Sequence, residues 1–376
     1  MNIVIAPDSF KGSMTALAAT AVMERAALDV FPNVKTVLKP MADGGEGTLD
    51  ILIEATKSIK VPITCTGPLG NPIRTYYALS KDQKTAYIES ANIAGLTLVP
   101  EEKRNPDNTT SFGIGEVIKD ALERGCIEII IALGGSATND GGLGMLTALG
   151  LRAWDQDGKL LGPFGNDLLN VSRLSFDTFD KRVFKTKLKI VSDVINPLCG
   201  SNGASYIFGP QKGATNQQVK HYDRALKSFS ELIQKWRSLN VRNVEGAGAA
   251  GGLGFSLLIL GGDIVPGAEF VADVLQLEKA IKQADLVLTG EGKSDEQTLF
   301  GKAPGYVAKL ANHYQVPVLL ISGSLTGDLS QLQQMFTGCF SIMQKPMSLD
   351  EAMRHSRQLL YEQTKQLFCL LKNISK

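Results

Sequence analysis

Short apolar runs alternate with stretches of helical spacing along most of the chain. The run Ile3-Val4-Ile5-Ala6 reads as a strand and stops at Pro7-Asp8-Ser9. Ser13 is placed to N-cap a helix, in which Met14, Leu17, Ala18, Ala21 and Val22 recur at the spacing of one buried face. A second strand over 34–38 runs to Asp43-Gly44-Gly45, with a helix over 46–55. Further strands are predicted over 127–133, 188–192, 286–289 and 316–321. They end at Gly134-Gly135, at Asp193, at Gly290-Glu291-Gly292 and at Ser322-Gly323-Ser324. Helices are predicted over 115–123, 216–237 and 349–371.

Between residues 61 and 89 the rhythm changes. Three β-rich stretches, over 61–64, 73–78 and 85–88, are separated by turns at Gly67-Pro68-Leu69-Gly70-Asn71-Pro72 and Lys81-Asp82-Gln83. This reads as an antiparallel meander inserted into an α/β chain. Elsewhere the alternation of strand and helix implies parallel sheets. In such sheets ligands bind at the C-terminal ends of the strands, where the Gly- and Asp-bearing turns fall.

Composition narrows the classes. The chain has 376 residues, a prior for two domains. Its net charge of +1 shows no basic excess of the kind nucleic acid demands. Cys65, Cys126, Cys199, Cys339 and Cys369 are scattered and never in CxxC spacing, against a zinc site or a disulfide framework. Met1 leads straight into a strand with no leader pattern, and no apolar run approaches the ~20 residues of a membrane helix. A cytoplasmic protein is expected, with no membrane and no nucleic-acid partner.

The strongest chemical signal is Gly134-Gly135-Ser136-Ala137-Thr138-Asn139-Asp140-Gly141-Gly142, a strand-to-helix turn. Glycines let backbone N–H groups converge on an anion, and a helix N-terminus adds partial positive charge. Interleaved hydroxyls strengthen the reading as a phosphate cradle. Carboxylates stand at several other turns: Asp8, Asp43, Glu46, Asp193, Glu291 and Asp295. Phosphoryl transfer needs one or two of these for Mg²⁺ and gains from a base near the attacking hydroxyl. Lys11, Lys212, Lys293 and Lys302 lie among glycines and carboxylates and could neutralise phosphate or an acid substrate. Gly246-Ala247-Gly248-Ala249-Ala250-Gly251 matches a dinucleotide fingerprint literally, but no convincing strand precedes it and Asp263 is too near for the ribose contact. Gly292-Lys293-Ser294 fails as a P-loop because Val287 stands where its first glycine is needed. His221, His313 and His355 lie away from the glycine turns, against histidine-based catalysis.

Seven segments in order resemble the type-1 glycerate kinase family of bacteria. They are Ala6-Pro7-Asp8-Ser9-Phe10-Lys11-Gly12, Met41-Ala42-Asp43-Gly44-Gly45-Glu46-Gly47-Thr48, residues 133–142, Ser192-Asp193-Val194-Ile195-Asn196-Pro197-Leu198, residues 208–214, residues 246–254, and Leu288-Thr289-Gly290-Glu291-Gly292 with Asp295-Glu296-Gln297-Thr298. The resemblance implies ATP, Mg²⁺ and D-glycerate, with 2-phosphoglycerate as product. It implies two α/β domains around a cleft. One is discontinuous (1–60 with 285–376), Rossmann- or flavodoxin-like with a parallel sheet. The other is inserted (61–284) with a mixed sheet. A homodimer is left open.

Residue roles rest on the physical reading. Asp193, Lys11, Glu291 and Lys293 are expected to be catalytic. Asp8, Ser9, Asp43, Gly44, Gly45, Glu46, Asp295 and Gln297 are expected to hold the substrate. Gly134, Gly135, Ser136, Ala137, Thr138, Asn139, Asp140, Gly141 and Gly142 are expected to hold the nucleotide, and Asp193, Glu291 and Asp295 the metal. The expectation requires these chain-distant loops to meet in one pocket. The alternatives are a kinase of another small hydroxy-acid or polyol, a nicotinamide-dependent dehydrogenase using Gly246 to Gly251, and a non-catalytic glycerate sensor.

Overall fold

The computed structural model describes residues 1–374. Thirteen strands form among them: β1 (Asn2–Ile5), β2 (Lys35–Leu38), β3 (Ile59–Thr66), β4 (Pro72–Leu79), β5 (Thr85–Glu89), β6 (Glu128–Ala132), β7 (Arg152–Trp154), β8 (Arg173–Ser175), β9 (Lys187–Val191), β10 (Asp263–Val265), β11 (Leu286–Ser294), β12 (Val318–Leu325) and β13 (Gly338–Ser341). Two compact units result. One joins Met1–Asp43 to the stretch from Pro266 onward; the other is Gly44–Val265. The inserted unit thus begins and ends earlier than the expected 61 and 284. Helix Thr48–Thr56 packs on β4 and β5 and so belongs to it.

In the two-ended unit five parallel strands run β13-β12-β11-β1-β2. This is the flavodoxin-like order, with its switch point between β1 and β11. Ile3 and Ile5 face one side with Leu286, Leu288, Leu319 and Ile321, against Met23 and Ala27 of helix Ala16–Val30 and Leu360 and Phe368 of helix Leu349–Ile374. Val4, Val287 and Leu320 point the other way and are equally buried. A sheet buried on both faces explains why these strands read as continuous apolar runs. Each buried Ile or Leu contributes about 1.5–3 kcal/mol.

Two local expectations are corrected here. Thr15, not Ser13, caps helix Ala16–Val30 by accepting from Ala18 N, while the Ser13 hydroxyl donates to Phe10 O at 3.0 Å. Strand β11 does not end at Thr289. It continues through Gly290-Glu291-Gly292 to Ser294 beside β12. Gly290 permits this, since a Cβ there would lie 2.0 Å from Ile321 O.

The inserted unit holds a mixed six-stranded sheet, order β10-β9-β6-β5-β4-β3. β3, β4 and β5 form the predicted antiparallel meander, and β5, β6, β9 and β10 run parallel. Helix Asn216–Arg237 opens with a Thr215/Gln218 capping box. It buries Tyr222, Leu226, Phe229 and Ile233 at helical spacing. Glu89 caps helix Thr48–Thr56 from β5, accepting from Gly47 N at 3.2 Å and Leu49 N at 2.8 Å. Burial pushes the Glu89 carboxyl up to about 7, against the pull of those two amides. No helix among the described residues is long and apolar enough to cross a membrane.

Two predictions follow from this packing. Gly251 has φ +70°, and a Cβ there would meet Thr138 O at 2.0 Å. Gly47 has φ +88° with open space around it. Gly47→Ala should cost about 1–2 kcal/mol from backbone strain alone, and Gly251→Ala at least about 3 kcal/mol, as read from urea midpoints. For Glu89, the native state keeps its proton up to about pH 7 while the unfolded chain loses it near the ordinary 4.5. Stability from this group is therefore present at low pH and lost as pH rises from about 4.5 to 7. Glu89→Gln should remove that decline, up to about 3 kcal/mol, in unfolding measured at pH 5 and pH 7.

Candidate active site

In the inserted unit the candidate residues gather at the C-terminal ends of β5, β6 and β9. Leu133 N donates to Val191 O at 3.1 Å, so the turn after β6 starts beside the one that carries Ser192 and Asp193. Gly134 N donates to Gly44 O, and a Cβ at Gly134 would fall 2.2 Å from Gly45 Cα. The two glycine turns therefore touch backbone to backbone. Asp193 is half-buried at the end of β9.

The 134–142 loop is almost wholly buried. Much of its expected amide cradle is committed inside the protein. Gly134 N goes to Gly44 O, Ala137 N to Ala94 O, Gly141 N to Gly251 O and Gly142 N to Asp140 Oδ1. Asp140 Oδ2 accepts from Ser111 N at 2.9 Å, Ser111 Oγ at 2.6 Å and Gly144 N at 3.2 Å. Its carboxylate thus organises the loop, and burial raises its pKa in spite of these donors. The glycines of the false dinucleotide fingerprint serve the same loop. Gly251 presses on Thr138 O, and Ser256 Oγ donates to Gly141 O at 2.5 Å.

Polar side chains are buried with the loop. Lys212, 2% exposed, donates to Thr138 O at 2.6 Å and Ser136 Oγ at 3.2 Å. Burial lowers its pKa to about 7, with Asp140 pulling weakly the other way. Asn139 Nδ2 donates to Ser205 Oγ at 3.0 Å. Thr138 Oγ1 and Asn139 Oδ1 are buried with no hydrogen-bond partner among the described residues. A buried hydroxyl without a partner costs about 1–3 kcal/mol, so Thr138 Oγ1, on the residue whose carbonyl accepts from Lys212, is a candidate contact for a small polar ligand.

In the two-ended unit Asp8, Ser9, Lys11, Asp43, Glu291, Lys293, Asp295 and Gln297 all line one cavity of about 830 Å³. Asp8 N donates to Gly290 O at 2.8 Å, which fixes the end of β1 beside β11. Ser9 N donates to Asp8 Oδ1 at 2.6 Å. Burial, then the nearby Asp43, raises Asp8 to about 8, with Glu291 adding to the push against Ser9 N–H and Lys11. Glu291 Oε1 accepts from Thr298 Oγ1 at 2.7 Å and Ser294 Oγ at 2.9 Å, while Oε2 lies 3.5 Å from Lys302 Nζ. Asp295 caps the turn Glu296–Leu299 and lies 3.8 Å from Lys293 Nζ.

No group of three or more His, Cys, Asp or Glu side chains among the described residues is arranged to hold a metal. Mg²⁺ is commonly held by one or two carboxylates plus substrate phosphates, and Glu291 and Asp295, two of the three acids expected to hold it, line one cavity.

Lys212 is one of four candidate lysines in the sequence, and nothing local shows that it is the buried one of the four. Other groups are absent from the sequence expectations. Glu89 carried a usable signal, an acid at a strand end like Asp193. Ser294 and Thr298 follow Glu291 by three and seven residues, but that they both bind it depends on the path of β11.

Comparison with known proteins bears on all of this. The sequence model of the glycerate kinase family matches residues 3–372. A glycerate kinase of Halalkalibacterium halodurans is 44% identical over 96% of this chain and 95% of its own. The Escherichia coli protein named glycerate 2-kinase is 44% identical over 94% of this chain and 93% of its own. The crystal structure of a Salmonella typhimurium LT2 protein provisionally named glycerate kinase 2 matches with a TM-score of 0.84 and 40% identity, covering 100% of this chain and 99% of that one. An α/β chain with one parallel and one mixed sheet, and with acids and glycines at its strand ends, thus belongs to the glycerate kinase family.

Proposed function

We propose that the chain transfers a phosphoryl group from ATP, with Mg²⁺, to the 2-hydroxyl of D-glycerate, giving 2-phosphoglycerate and ADP in the cytoplasm. The 2-position is carried by the likeness to the Escherichia coli protein named glycerate 2-kinase, which spans 94% of the chain. The chemistry of the strand-end turns supports the reaction class.

Phosphoryl transfer depends mostly on positioning and on cations near the moving charge. Lys11, Lys293 and Lys302 line the acidic cavity and supply that charge. Glu291, clamped by two hydroxyls, is held in one orientation, as a carboxylate facing a metal or a substrate hydroxyl must be. Asp8, poised near neutral pH, suits holding or moving the hydroxyl proton. In the inserted unit Ser136, Thr138 and Lys212 form a small anion site, and Asp193 stands at the neighbouring strand end. A bound Mg²⁺ would neutralise phosphate charge.

A coupled assay with ATP, Mg²⁺ and D-glycerate, with phosphorus NMR of the product, tests the reading. A 3-phosphoglycerate product, or faster turnover of another hydroxy-acid, would overturn it. Asp193→Asn and Glu291→Gln should each lower kcat by ~10²–10⁴. Near-normal turnover would remove that residue from the machinery. Lys212 loses its proton as pH rises through about 7, so kcat/KM should fall over that window. Lys212→Arg, which keeps its charge, should flatten the fall.

A further inference from the structure

The cavity of the two-ended unit is larger than its assigned chemistry needs. Glycerate is a three-carbon acid, whereas about 830 Å³ lies in the ~300–1,000 Å³ range of pockets that take drug-sized ligands. Its lining also divides by chemistry. Asp8, Glu291, Lys11 and Lys302 make one part ionic. Ile342, Met343, Met347 and Met353 add uncharged lining with three thioethers, Ile342 and Met347 also packing in or on the core of the unit. Met353 is held against the loop after β1, its Cε 2.8 Å from where a Cβ on Gly12 would be.

Gly292 and Gly323 also line the cavity. A Cβ on Gly323 would lie 2.2 Å from Gly292 O, and one on Gly292 would lie 3.2 Å from Lys11 N. This stretch of wall is therefore closely packed backbone of β11, β12 and the loop after β1.

From this division we infer that the cavity of the two-ended unit is the nucleotide site: a purine base rests on Met343, Met347, Met353 and Ile342, and the phosphates reach Lys11 and Lys302. Three observations converge. Thioether sulfur makes favourable contacts with aromatic faces and adapts to their outline. Lysines match phosphate, and one or two carboxylates match its magnesium. The ionic part stands at the β1/β11 switch point, the place where a doubly wound sheet takes its ligand. This assignment moves the nucleotide away from the 134–142 loop, whose amides at Gly134, Ala137, Gly141 and Gly142 are spent within the protein. It rests on the kinase reading only for the class of ligand.

The test uses the full chain with 8-azido-ATP and magnesium. Light-driven labelling should fall on peptides spanning 342–353 and be suppressed by excess ADP. In calorimetry with magnesium ADP, Met347→Glu and Met343→Glu should weaken binding about tenfold or more, a loss of about 1.4 kcal/mol. Met347→Leu should stay near wild type. Labelling confined to Ser136, Thr138 or Lys212 peptides, with phosphorylation of glycerate intact, would overturn the placement and leave the kinase reading standing. A chain that binds no magnesium nucleotide and turns over no ATP would overturn both. Should the glutamate variants fail to fold, the labelling map of the unaltered protein still decides.

Discussion

The parallel pairing of β1 with β11 is the contact on which the two-ended unit depends. It joins Ile3 to Leu286 and Ile5 to Leu288, 283 positions apart in a chain of 376. Once that register is set, Asp8 N reaches Gly290 O, and Asp8 and Glu291 line the same cavity. A parallel pair between chain ends carries the entropy cost of closing a very long loop. Continuous apolar runs buried on both faces of the sheet offset that cost. The polar residues that follow those runs are then held by a rigid floor.

The inserted unit solves a different problem, the close approach of several backbones. Gly134 lies on Gly45, Gly251 on Thr138 O and Gly252 on Gly141 Cα. Dense packing of main chain leaves little room for side chains and commits most amides internally. What is left unpartnered among the described residues of the loop is correspondingly specific: the Thr138 hydroxyl and the Asn139 amide oxygen, on a loop that also holds the buried Lys212 ammonium. The electrostatic cost of burying Lys212 appears as its depressed pKa. An ammonium kept this dry interacts strongly with an incoming anion, because little water screens it.

Much of this was legible in advance. The strand-and-helix alternation, the antiparallel meander and helix Asn216–Arg237 follow from hydrophobic period and capping residues, all local signals. Of the residues expected in one pocket, Asp8, Ser9, Lys11, Asp43, Glu291, Lys293, Asp295 and Gln297 line a cavity of the two-ended unit, because they follow or end neighbouring parallel strands. Less legible was the use each group is put to. Gly134 and Gly141 read as phosphate ligands, yet their amides bond to Gly44 O and Gly251 O. Asp140 read as a ligand for nucleotide, yet its oxygens hold Ser111, Gly142 and Gly144. Glu89, at the end of β5, caps a helix that lies about forty positions earlier in the chain.

The order of apolar and polar residues by itself determined the α/β class, the place of the meander and the turns that carry chemistry, since each depends on neighbours within a few positions. Only the tertiary structure decided that β11 runs on through Glu291, that Lys212 is dry while Lys11 is not, and that three methionines from the C-terminal region line the acidic cavity. These are questions of which distant backbone lies against which. Desolvation and hydrogen-bond partnership arise from that proximity, and no local pattern in the chain encodes them.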